Sequence, residues 1–267
     1  MRLVSFPGGF GRIEGDCVVR MGGDILGYLR AGEACEDESA IALQGLSLVA
    51  PVPSPGKIIC VGLNYRDHAL ETGQSIPTEP VLFAKYANSL VGPGCDVVVP
   101  AAASSAIDYE AELGVVIGRA ASRVRPGEAL DYVAGYMCLN DVSDRDLQMR
   151  GGQWMRGKAI DTFMPAGPWL TTVDELPSPQ NLGIRCIVNG EVRQESNTRQ
   201  MIFGVSELVS FISRTISLVP GDVIATGTPA GVGMAMIPPR YLRFGDEVVV
   251  EIGGLGALRS RVSAETR

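Results

Sequence analysis

The sequence predicts an α+β fold in which β-strands dominate and form mixed or antiparallel sheets. Its apolar segments are mostly short and are bounded by glycine or proline, as is typical of strands. The pair Asn189-Gly190 joins two such segments and is the strongest short signal for a β-hairpin. Residues 207–216 form the best helical pattern, with apolar side chains three and four positions apart. Because helical segments are few, an alternating β/α fold is less favoured.

Length, charge and cysteine content limit the class of protein. The chain has 267 residues, of which 46% are hydrophobic and 20% are charged, as in an ordinary soluble globular protein. The net charge of −7 argues against nucleic acid as a partner, since phosphate binding needs a basic surface. No apolar run approaches the ~20 residues of a membrane span, and residues 1–10 lack the core of a signal peptide. The six cysteines form no Cys-x-x-Cys pair, so we expect them to be reduced in a cytoplasmic protein without membrane contact.

Residues 1–52 are predicted to form a small N-terminal domain, followed by a main domain of residues 57–267. In the small domain, two short apolar segments flank Gly22-Gly23, which indicates a hairpin. Proline then occupies every second position from Pro51 to Pro55, and this pattern favours an extended connector. The domain boundary is therefore placed at the connector.

The main domain is predicted to consist mostly of strands. The candidate strands are residues 57–62, 81–85, 96–100, 108–117, 131–139, the two arms of 184–192, 223–226 and 247–252. The polar segments 63–71 and 142–148 are able to form helices. The helix at 207–216 is stopped by Pro220-Gly221-Asp222.

Two glutamates project from one face of the segment 108–117. Apolar and acidic residues alternate there, and side chains two positions apart on a strand share a face. Glu110 and Glu112 therefore lie side by side, and each raises the pKa of the other unless a cation sits between them. Mg²⁺ and Ca²⁺ take oxygen ligands of this kind. The alternative interpretation is a solvated face of an edge strand.

Asp141 follows the apolar segment 131–139, where a strand would deliver its side chain to the rim of a sheet. With Glu110 and Glu112 it is able to complete a site of three carboxylates. Three carboxylates, with waters or substrate oxygens, match the ligands that Mg²⁺ or Mn²⁺ accepts. The alternative is that Asp141 caps the segment that begins after it.

His68 is the only histidine of the chain, and Glu71 follows it three residues later. On a helical turn these side chains meet, and a carboxylate beside an imidazole orients the ring and stabilises its charged form. Such a pair is a workable general base near neutral pH. An ordinary pair on a helix surface is the alternative.

The glycine-rich segment 227–233 lacks the spacing and the lysine of a phosphate-binding loop. Its backbone amides and the Thr228 hydroxyl are still able to bind an anion. Lys158 lies among glycines and is either an anion-binding charge or a solvated loop lysine.

Six segments of the chain, in the same order, resemble motifs of the fumarylacetoacetate hydrolase family. They are residues 61–71, 109–116, 140–148, 157–163, 189–191 and 220–233. They are distributed in this order over the region from Lys57 to the C-terminus, roughly four fifths of the chain, so the match is specific. The residues before the connector resemble the small, variable leading domain of many members.

The resemblance implies a roll of mixed β-sheets around the active site, usually in a homodimer, with bound Mg²⁺ or Mn²⁺. The positions that match the metal ligands of the family are Glu110, Glu112 and Asp141. The positions that match its acid–base pair, on a segment that orders as a lid, are His68 and Glu71. The positions that match its substrate-binding residues are Arg145, Gln148, Lys158 and Thr228. Lys85 has a weaker match and is left out of this set.

Family members act on 2-oxo acids that carry a further carbonyl or carboxyl group. The function implied first is a metal-dependent hydrolase that cleaves a C–C bond in acylpyruvate-like or 2,4-dioxo acid substrates. The metal would act as a Lewis acid that stabilises enolate character, and His68, aligned by Glu71, would deprotonate the attacking water. The alternative at the same site is an oxaloacetate-type decarboxylase or a 2-hydroxy-dienoate isomerase. A non-catalytic binding protein is a more remote alternative.

Overall fold

The computed structural model describes residues 1–32 and 36–266 of the chain. Its strands are β1 (Arg2–Phe6), β2 (Gly9–Glu14), β3 (Cys17–Met21), β4 (Glu36–Ala42), β5 (Ile58–Gly62), β6 (Val81–Lys85), β7 (Leu90–Val91), β8 (Asp96–Val99), β9 (Ile107–Asp108), β10 (Ala111–Ile117), β11 (Val133–Asn140), β12 (Ser143–Asp144), β13 (Met164–Thr172), β14 (Gly183–Val188), β15 (Glu191–Asn197), β16 (Val223–Ala225), β17 (Glu247–Ile252) and β18 (Gly256–Ala264). Its α-helices are α1 (Ile25–Ala31), α2 (Arg66–Glu71), α3 (Arg145–Met149), α4 (Met155–Lys158) and α5 (Val205–Ser213). Short 3₁₀ segments lie at Ala87–Ser89, Pro126–Tyr132, Arg150–Gly152, Thr198–Gln200 and Gly233–Ala235.

The described strands form one large sheet, a five-stranded sheet and a two-stranded ribbon. The order in the eleven-stranded sheet is β4-β3-β2-β1-β13-β11-β10-β16-β5-β6, with β7 paired to β13. The five-stranded sheet has the order β15-β14-β17-β18-β8, and the ribbon pairs β12 with β9. Antiparallel neighbours such as β10 and β11 occur beside the parallel pair β16 and β5. The predicted strand-dominated α+β fold with mixed sheets is confirmed.

The N-terminal strands extend the large sheet. β1 pairs antiparallel with β13, with Leu3 opposite Leu170, and β2, β3 and β4 follow outward from β1. Leu3 and Leu170 are both buried and belong to the same apolar cluster. The division of the chain into domains 1–52 and 57–267 stays a prediction.

The hairpin predicted at Gly22-Gly23 is wrong, because its second arm is helix α1. The Asp24 carboxylate caps this helix by accepting a hydrogen bond from the Gly27 N–H at 2.8 Å. Ile25 and Leu29, one helical turn apart, are both buried. Gly32 ends the helix in the left-handed conformation, with φ of 73°. The Asp24 cap and the helical spacing of the buried Ile25 and Leu29 therefore produce a helix where the sequence predicts a second strand.

Strand β10 lies in the interior of the large sheet, and this position fixes the environment of the predicted carboxylates. It pairs with β11 on one side and with β16 on the other, and all its residues are buried. Strands buried on both faces read as continuous apolar runs, as residues 113–117 do. Any carboxylate at the start of β10 is therefore removed from bulk water.

Further segments differ from the predictions at their ends. The predicted strand 108–117 is divided into β9, which ends at Asp108, and β10, which begins at Ala111, so Glu110 lies between the two strands. Strand β11 begins at Val133, because the preceding residues form the 3₁₀ segment Pro126–Tyr132. Helix α5 begins two residues before Glu207, whose carboxylate accepts a hydrogen bond from the Gly204 N–H at 2.7 Å. The buried Leu208, Val209 and Ile212 pack into the main core, as the apolar spacing predicts.

The described part of the chain contains no helix long and apolar enough to cross a membrane. Cys17, Cys60, Cys95, Cys138 and Cys186 are free cysteines, and Cys35 lies outside the described residues. The predicted cytoplasmic location stays a prediction.

Candidate active site

The paired strands β10 and β11 bring three carboxylates together. Glu110 and Glu112 share a face of the β10 segment, and Asp141 directly follows β11, where its N–H donates to the Glu110 carbonyl at 2.9 Å. One carboxylate oxygen of each residue lies within 4.8 Å of the other two. The three side chains are 6%, 1% and 0% exposed, so a solvated edge-strand face is excluded for Glu110 and Glu112.

Asp141 does not cap the helix that follows it. Helix α3 is capped instead by Asp144, whose carboxylate accepts a hydrogen bond from the Leu147 N–H at 3.0 Å. The Asp141 carboxylate is therefore free to take part in the cluster with Glu110 and Glu112.

Buried cations neutralise two of the three carboxylates. Lys158 Nζ donates to Glu110 Oε2 at 2.6 Å and to Asp141 Oδ2 at 2.8 Å. Lys85 Nζ lies 2.5 Å from Asp141 Oδ1 and donates to the Val142 carbonyl at 2.9 Å. Both lysines are almost completely buried, so Lys158 is no solvated loop lysine. Lys85, which is not among the predicted site residues, contacts the cluster through Asp141.

Glu112 differs from the other two carboxylates. It accepts a hydrogen bond from the Gly227 N–H at 2.8 Å, and it forms no ion pair with a lysine or arginine in residues 1–32 or 36–266. Burial and the neighbouring Asp141 and Glu110 carboxylates raise the pKa of Glu112 well above its usual range. Burial acts in the same direction on Glu110, but Lys158 and Arg145 outweigh it and lower the pKa of Glu110 to about 2.

The three carboxylates fit a divalent cation. Their oxygens are the ligands that hard cations such as Mg²⁺ and Mn²⁺ prefer, and the ionisation of Glu112 is disfavoured without a cation beside it. A cation held between Glu110, Glu112 and Asp141 would relieve the repulsion that raises the pKa of Glu112. Such crowding of buried carboxylates is costly unless it serves a ligand.

Arg145 joins the cluster to a carboxylate that the sequence analysis missed. Its Nη1 donates to Glu110 Oε1 at 2.6 Å and to Gln148 Oε1 at 3.1 Å. Its Nε donates to Asp108 Oδ2 at 2.9 Å. Asp108 is completely buried and precedes Glu110 by two residues, so the same alternation that indicates Glu110 and Glu112 also indicates Asp108.

The glycine-rich segment 227–233 and the next residue, Met234, bind three carboxylates through their backbone amides. The Gly227 N–H donates to Glu112, and the Gly231 N–H donates to both oxygens of Glu71 at 2.8 and 3.1 Å. The N–H groups of Gly233 and Met234 donate to Asp108 at 2.8 and 3.0 Å. The predicted anion-binding amides are thus present, and in this structure the anions are side chains of the protein itself.

His68 and Glu71 lie on helix α2 at the mouth of the site. His68 Nδ1 lies 3.4 Å from Glu71 Oε2, and the two side chains are 13% and 20% exposed. Because the Gly231 N–H binds the Glu71 carboxylate, the pair is tied to the same segment that binds Glu112 and Asp108. This attachment distinguishes it from an ordinary pair on a helix surface.

A cavity of about 290 Å³ connects these groups. Predicted site residues that line it are His68, Glu110, Glu112, Arg145, Gln148, Lys158 and Thr228. Glu71 lies behind His68, and Asp141 lies behind Glu110 and Lys158. The Thr228 hydroxyl donates to the Ala111 carbonyl at 2.9 Å and accepts from Gln194. The catalytic, metal-binding and substrate-binding roles of these residues stay predictions.

The substitution Asp108→Asn is expected to destabilise the protein by about 3 kcal/mol, because it removes one of the two buried carboxylates, Asp108 and Glu110, that pair with the buried Arg145 guanidinium. The free energy of unfolding from urea titration measures the effect. Asp146→Asn is the matched control, since Asp146 is the exposed neighbour of Arg145 and its change should stay within about 0.5 kcal/mol. Equal stability of the two variants would contradict the importance of the Asp108–Arg145 pair.

The sequence of this chain is similar to those of known proteins. The family model described as fumarylacetoacetate (FAA) hydrolase C-terminal matches residues 57–263. A Xenopus laevis protein named oxaloacetate tautomerase fahd2, mitochondrial, is 46% identical over 228 residues, which are 85% of this chain and 71% of that protein.

Two solved structures are similar over nearly the whole chain. A fumarylacetoacetate hydrolase from the psychrophilic Exiguobacterium antarcticum has a TM-score of 0.90 and 38% identity, covering 99% of this chain and 100% of the other. A 2-hydroxyhepta-2,4-diene-1,7-dioate isomerase from Mycobacterium marinum has a TM-score of 0.84 and 36% identity, covering 100% of this chain and 98% of the other.

Proposed function

Since the chain belongs to the fumarylacetoacetate hydrolase family, we propose that it is a metal-dependent tautomerase of 2-oxo acids. The reaction moves one proton between the carbon next to the 2-oxo group and the oxygen of that group. The observation that carries the proposal is the shared cavity, in which the chain's single histidine faces the three-carboxylate cluster. The names of the Xenopus laevis tautomerase and the Mycobacterium marinum isomerase support this reaction class.

The residues that would hold the metal are Glu110, Glu112 and Asp141, and we propose Mg²⁺ or Mn²⁺ as the ion. A bound divalent cation would polarise the 2-oxo group and stabilise negative charge on its oxygen. The three carboxylates already lie within reach of one another, on β10 and at the adjoining ends of the paired strands β10 and β11. The site therefore requires little rearrangement of the backbone when it is loaded.

The cations of the cavity would bind the substrate carboxylate. Lys158 and Arg145 both line the cavity, and their present partners are carboxylates of the cluster. With the charge of Glu110 and Asp141 shared by a bound divalent cation, these two side chains would have positive charge available for the substrate. Gln148, bonded to Arg145 at 3.1 Å, orients the guanidinium.

His68 would move the proton. The Glu71 carboxylate faces Nδ1 and leaves Nε2 as the atom that exchanges a proton with the substrate carbon. In the enol-to-keto direction, the imidazolium would give its Nε2 proton to carbon and become neutral, and the enol oxygen would release its proton to water. A proton from water would then restore the imidazolium, so no net proton is gained or lost. The partly buried position of His68 limits the access of bulk water to this step.

The test follows ketonisation of the enol form of oxaloacetate and of a 2-hydroxy-2,4-dienoate by ultraviolet absorbance. We expect acceleration over the buffer rate with Mg²⁺ or Mn²⁺ and loss of acceleration with EDTA. Absence of acceleration for both compounds with either ion would overturn the proposal.

A second candidate function is hydrolysis of a C–C bond in an acylpyruvate. The similarity to the Exiguobacterium antarcticum fumarylacetoacetate hydrolase favours it, and the His68–Glu71 pair would then activate water instead of moving a proton on carbon. Release of acetate and pyruvate from acetylpyruvate distinguishes this function from tautomerisation, and release of CO₂ from oxaloacetate identifies decarboxylation. A non-catalytic binding protein would turn over none of these compounds.

We propose a homodimer as the assembly, which light scattering after size-exclusion chromatography tests.

A further inference from the structure

Gln194 is a completely buried glutamine on β15, which is an edge strand of the five-stranded sheet. Every other residue of this strand is exposed or partly buried. Burying an amide is costly unless its oxygen and its nitrogen both find hydrogen-bond partners. The partners that satisfy this buried amide therefore indicate what the side chain does.

The Gln194 amide connects two segments of the active site. Its Oε1 accepts a hydrogen bond from the Ala111 N–H at 2.9 Å, and its Nε2 donates to Thr228 Oγ1 and to the Pro229 carbonyl, both at 2.8 Å. The Thr228 hydroxyl in turn donates to the Ala111 carbonyl at 2.9 Å. The side chains of Gln194 and Thr228 thus close a ring of hydrogen bonds with the backbone of Ala111.

This ring replaces a strand partner that β10 lacks at its first residue. Strand β16 pairs with β10 only over Val223–Ala225. Directly after it, Thr226 still bonds the Leu113 carbonyl, through its N–H at 3.1 Å and its hydroxyl at 2.9 Å. At Ala111 the neighbouring strand has ended, and a buried backbone N–H needs another acceptor. The Gln194 amide, which comes from the other sheet, supplies it.

Two local features of the backbone bring Gln194 to this place. The pairing of β14 with β15 shifts register between Cys186 and Ile187, so Arg193 is an extra, unpaired residue. Such a β-bulge changes the direction of the side chains next to it. The chain also packs closely here, since a Cβ added to Gly231 would lie 2.0 Å from the Arg193 carbonyl oxygen and 3.0 Å from Gln194 Cα. The glycine-rich segment therefore lies directly on β15.

The ring bears on the proposed metal site through Ala111, which lies between Glu110 and Glu112 in the sequence. The two peptide groups of Ala111 carry the backbone from which both carboxylates project, and the ring binds the N–H of one and the carbonyl of the other. Gln194 is not among the residues that line the cavity, whereas Thr228 is. Gln194 therefore acts on the site through Ala111 and Thr228.

We propose that Gln194 is a positioning residue of the active site, which holds the backbone of Glu110 and Glu112 in the arrangement that binds a divalent cation. The inference rests on the proposed function and assigns part of it to a residue of the other sheet. Side chains that orient metal ligands through hydrogen bonds typically contribute about 10–100-fold to the affinity for the metal. Gln194 therefore affects metal binding as well as stability.

Calorimetric titration with Mn²⁺ in the absence of substrate tests this role. Gln194→Met keeps a side chain of similar size but removes both hydrogen-bonding atoms, so the Ala111 N–H loses its acceptor. We expect the affinity for Mn²⁺ to fall by at least about tenfold. The free energy of unfolding in EDTA should also fall, because buried polar groups are left without partners.

Gln180→Met is the matched control, since it removes a glutamine that also joins two backbone segments. Gln180 donates to the Thr198 carbonyl at 3.2 Å and accepts from the Val205 N–H at 2.6 Å, and it does not line the cavity. This variant should lower the free energy of unfolding and leave the affinity for Mn²⁺ unchanged. A merely structural role of Gln194 would give the same result in both variants.

Gln194→Asn serves if the methionine variant does not fold. Its amide is one methylene shorter and cannot reach both Ala111 and Pro229, so we expect a loss of Mn²⁺ affinity in the same direction and of smaller size. An unchanged affinity in the folded variant, or an equal loss in Gln180→Met, overturns the role of Gln194. Failure of the unaltered protein to bind Mn²⁺ overturns the proposed metal-dependent function instead.

Discussion

Replacing His68 with alanine is expected to lower the tautomerase rate by about 10²–10⁴-fold, the usual contribution of a positioned acid–base group. The chain has no second histidine to take over the proton. The other ionisable side chains of the cavity are held in the carboxylate cluster and its cationic partners. The rate constant for ketonisation of enol oxaloacetate, measured with saturating Mg²⁺, gives the effect.

The proposed metal site should be unaffected by this change, because His68 provides none of the three clustered oxygens. Calorimetric titration with Mn²⁺ should therefore give equal affinities for His68→Ala and the unaltered protein. Leu70→Ala is the matched control, since Leu70 lies on the same helix and is 84% exposed, so its rate should not change. Full activity of His68→Ala would show that another group moves the proton.

The substitution Glu112→Gln is expected to have opposite effects on metal binding and on the stability of the metal-free protein. It removes a predicted ligand, so we expect the affinity for Mn²⁺ to fall by about a hundredfold or more and turnover to be lost with it. It also removes a buried carboxyl group whose ionisation is disfavoured next to Glu110 and Asp141, which raises the free energy of unfolding in EDTA at neutral pH.

The stability gain has a defined pH dependence. The pKa of Glu112 is raised in the folded state, so the folded and unfolded states are both protonated at low pH and the carboxyl costs nothing there. As pH rises above the ordinary pKa of 4.5, the unfolded chain ionises first and the folded state loses stability. The advantage of Glu112→Gln in EDTA should therefore grow with pH above that value.

Thermal unfolding in EDTA across this pH range measures the gain. Glu195→Gln serves as the control, because its side chain is 67% exposed and it should show no such pH-dependent gain. A Glu112→Gln variant that is less stable than the unaltered metal-free protein at neutral pH would contradict the expected repulsion.

The sequence pattern anticipates much of the carboxylate cluster because local rules govern it. Alternation along one strand places Glu110 and Glu112 on one face, and the end of the neighbouring strand places Asp141 beside them. The same alternation includes Asp108, but its partner Arg145 lies in a helix formed from another segment, so alternation alone does not indicate the pair. Pairing of Lys85 with Asp141 likewise depends on β6 reaching the cluster from a distant part of the chain.

Two other features are not predictable from the sequence pattern. Helix α1 depends on competition between local signals, and the partners of the amides in residues 227–234 depend on tertiary contacts. The Gly22-Gly23 pair is a fair turn signal, but the Asp24 cap and the spacing of Ile25 and Leu29 favour a helix after it. The partners of the backbone amides in residues 227–234 have no sequence signature, since every residue except proline carries such a donor. Their targets become apparent only when the fold brings Glu71, Asp108 and Glu112 to one segment.

The use of backbone amides in residues 227–234 determines which sequence changes this segment tolerates. Substitution of an exposed side chain there leaves every donor in place, whereas insertion or deletion of one residue moves the donors out of register with their carboxylates. Glu112, Glu71 and Asp108 would lose their partners in a single event, and the metal site, the proton-transfer pair and the Arg145 support would be disturbed together. The length of this segment is therefore constrained by three carboxylates at once.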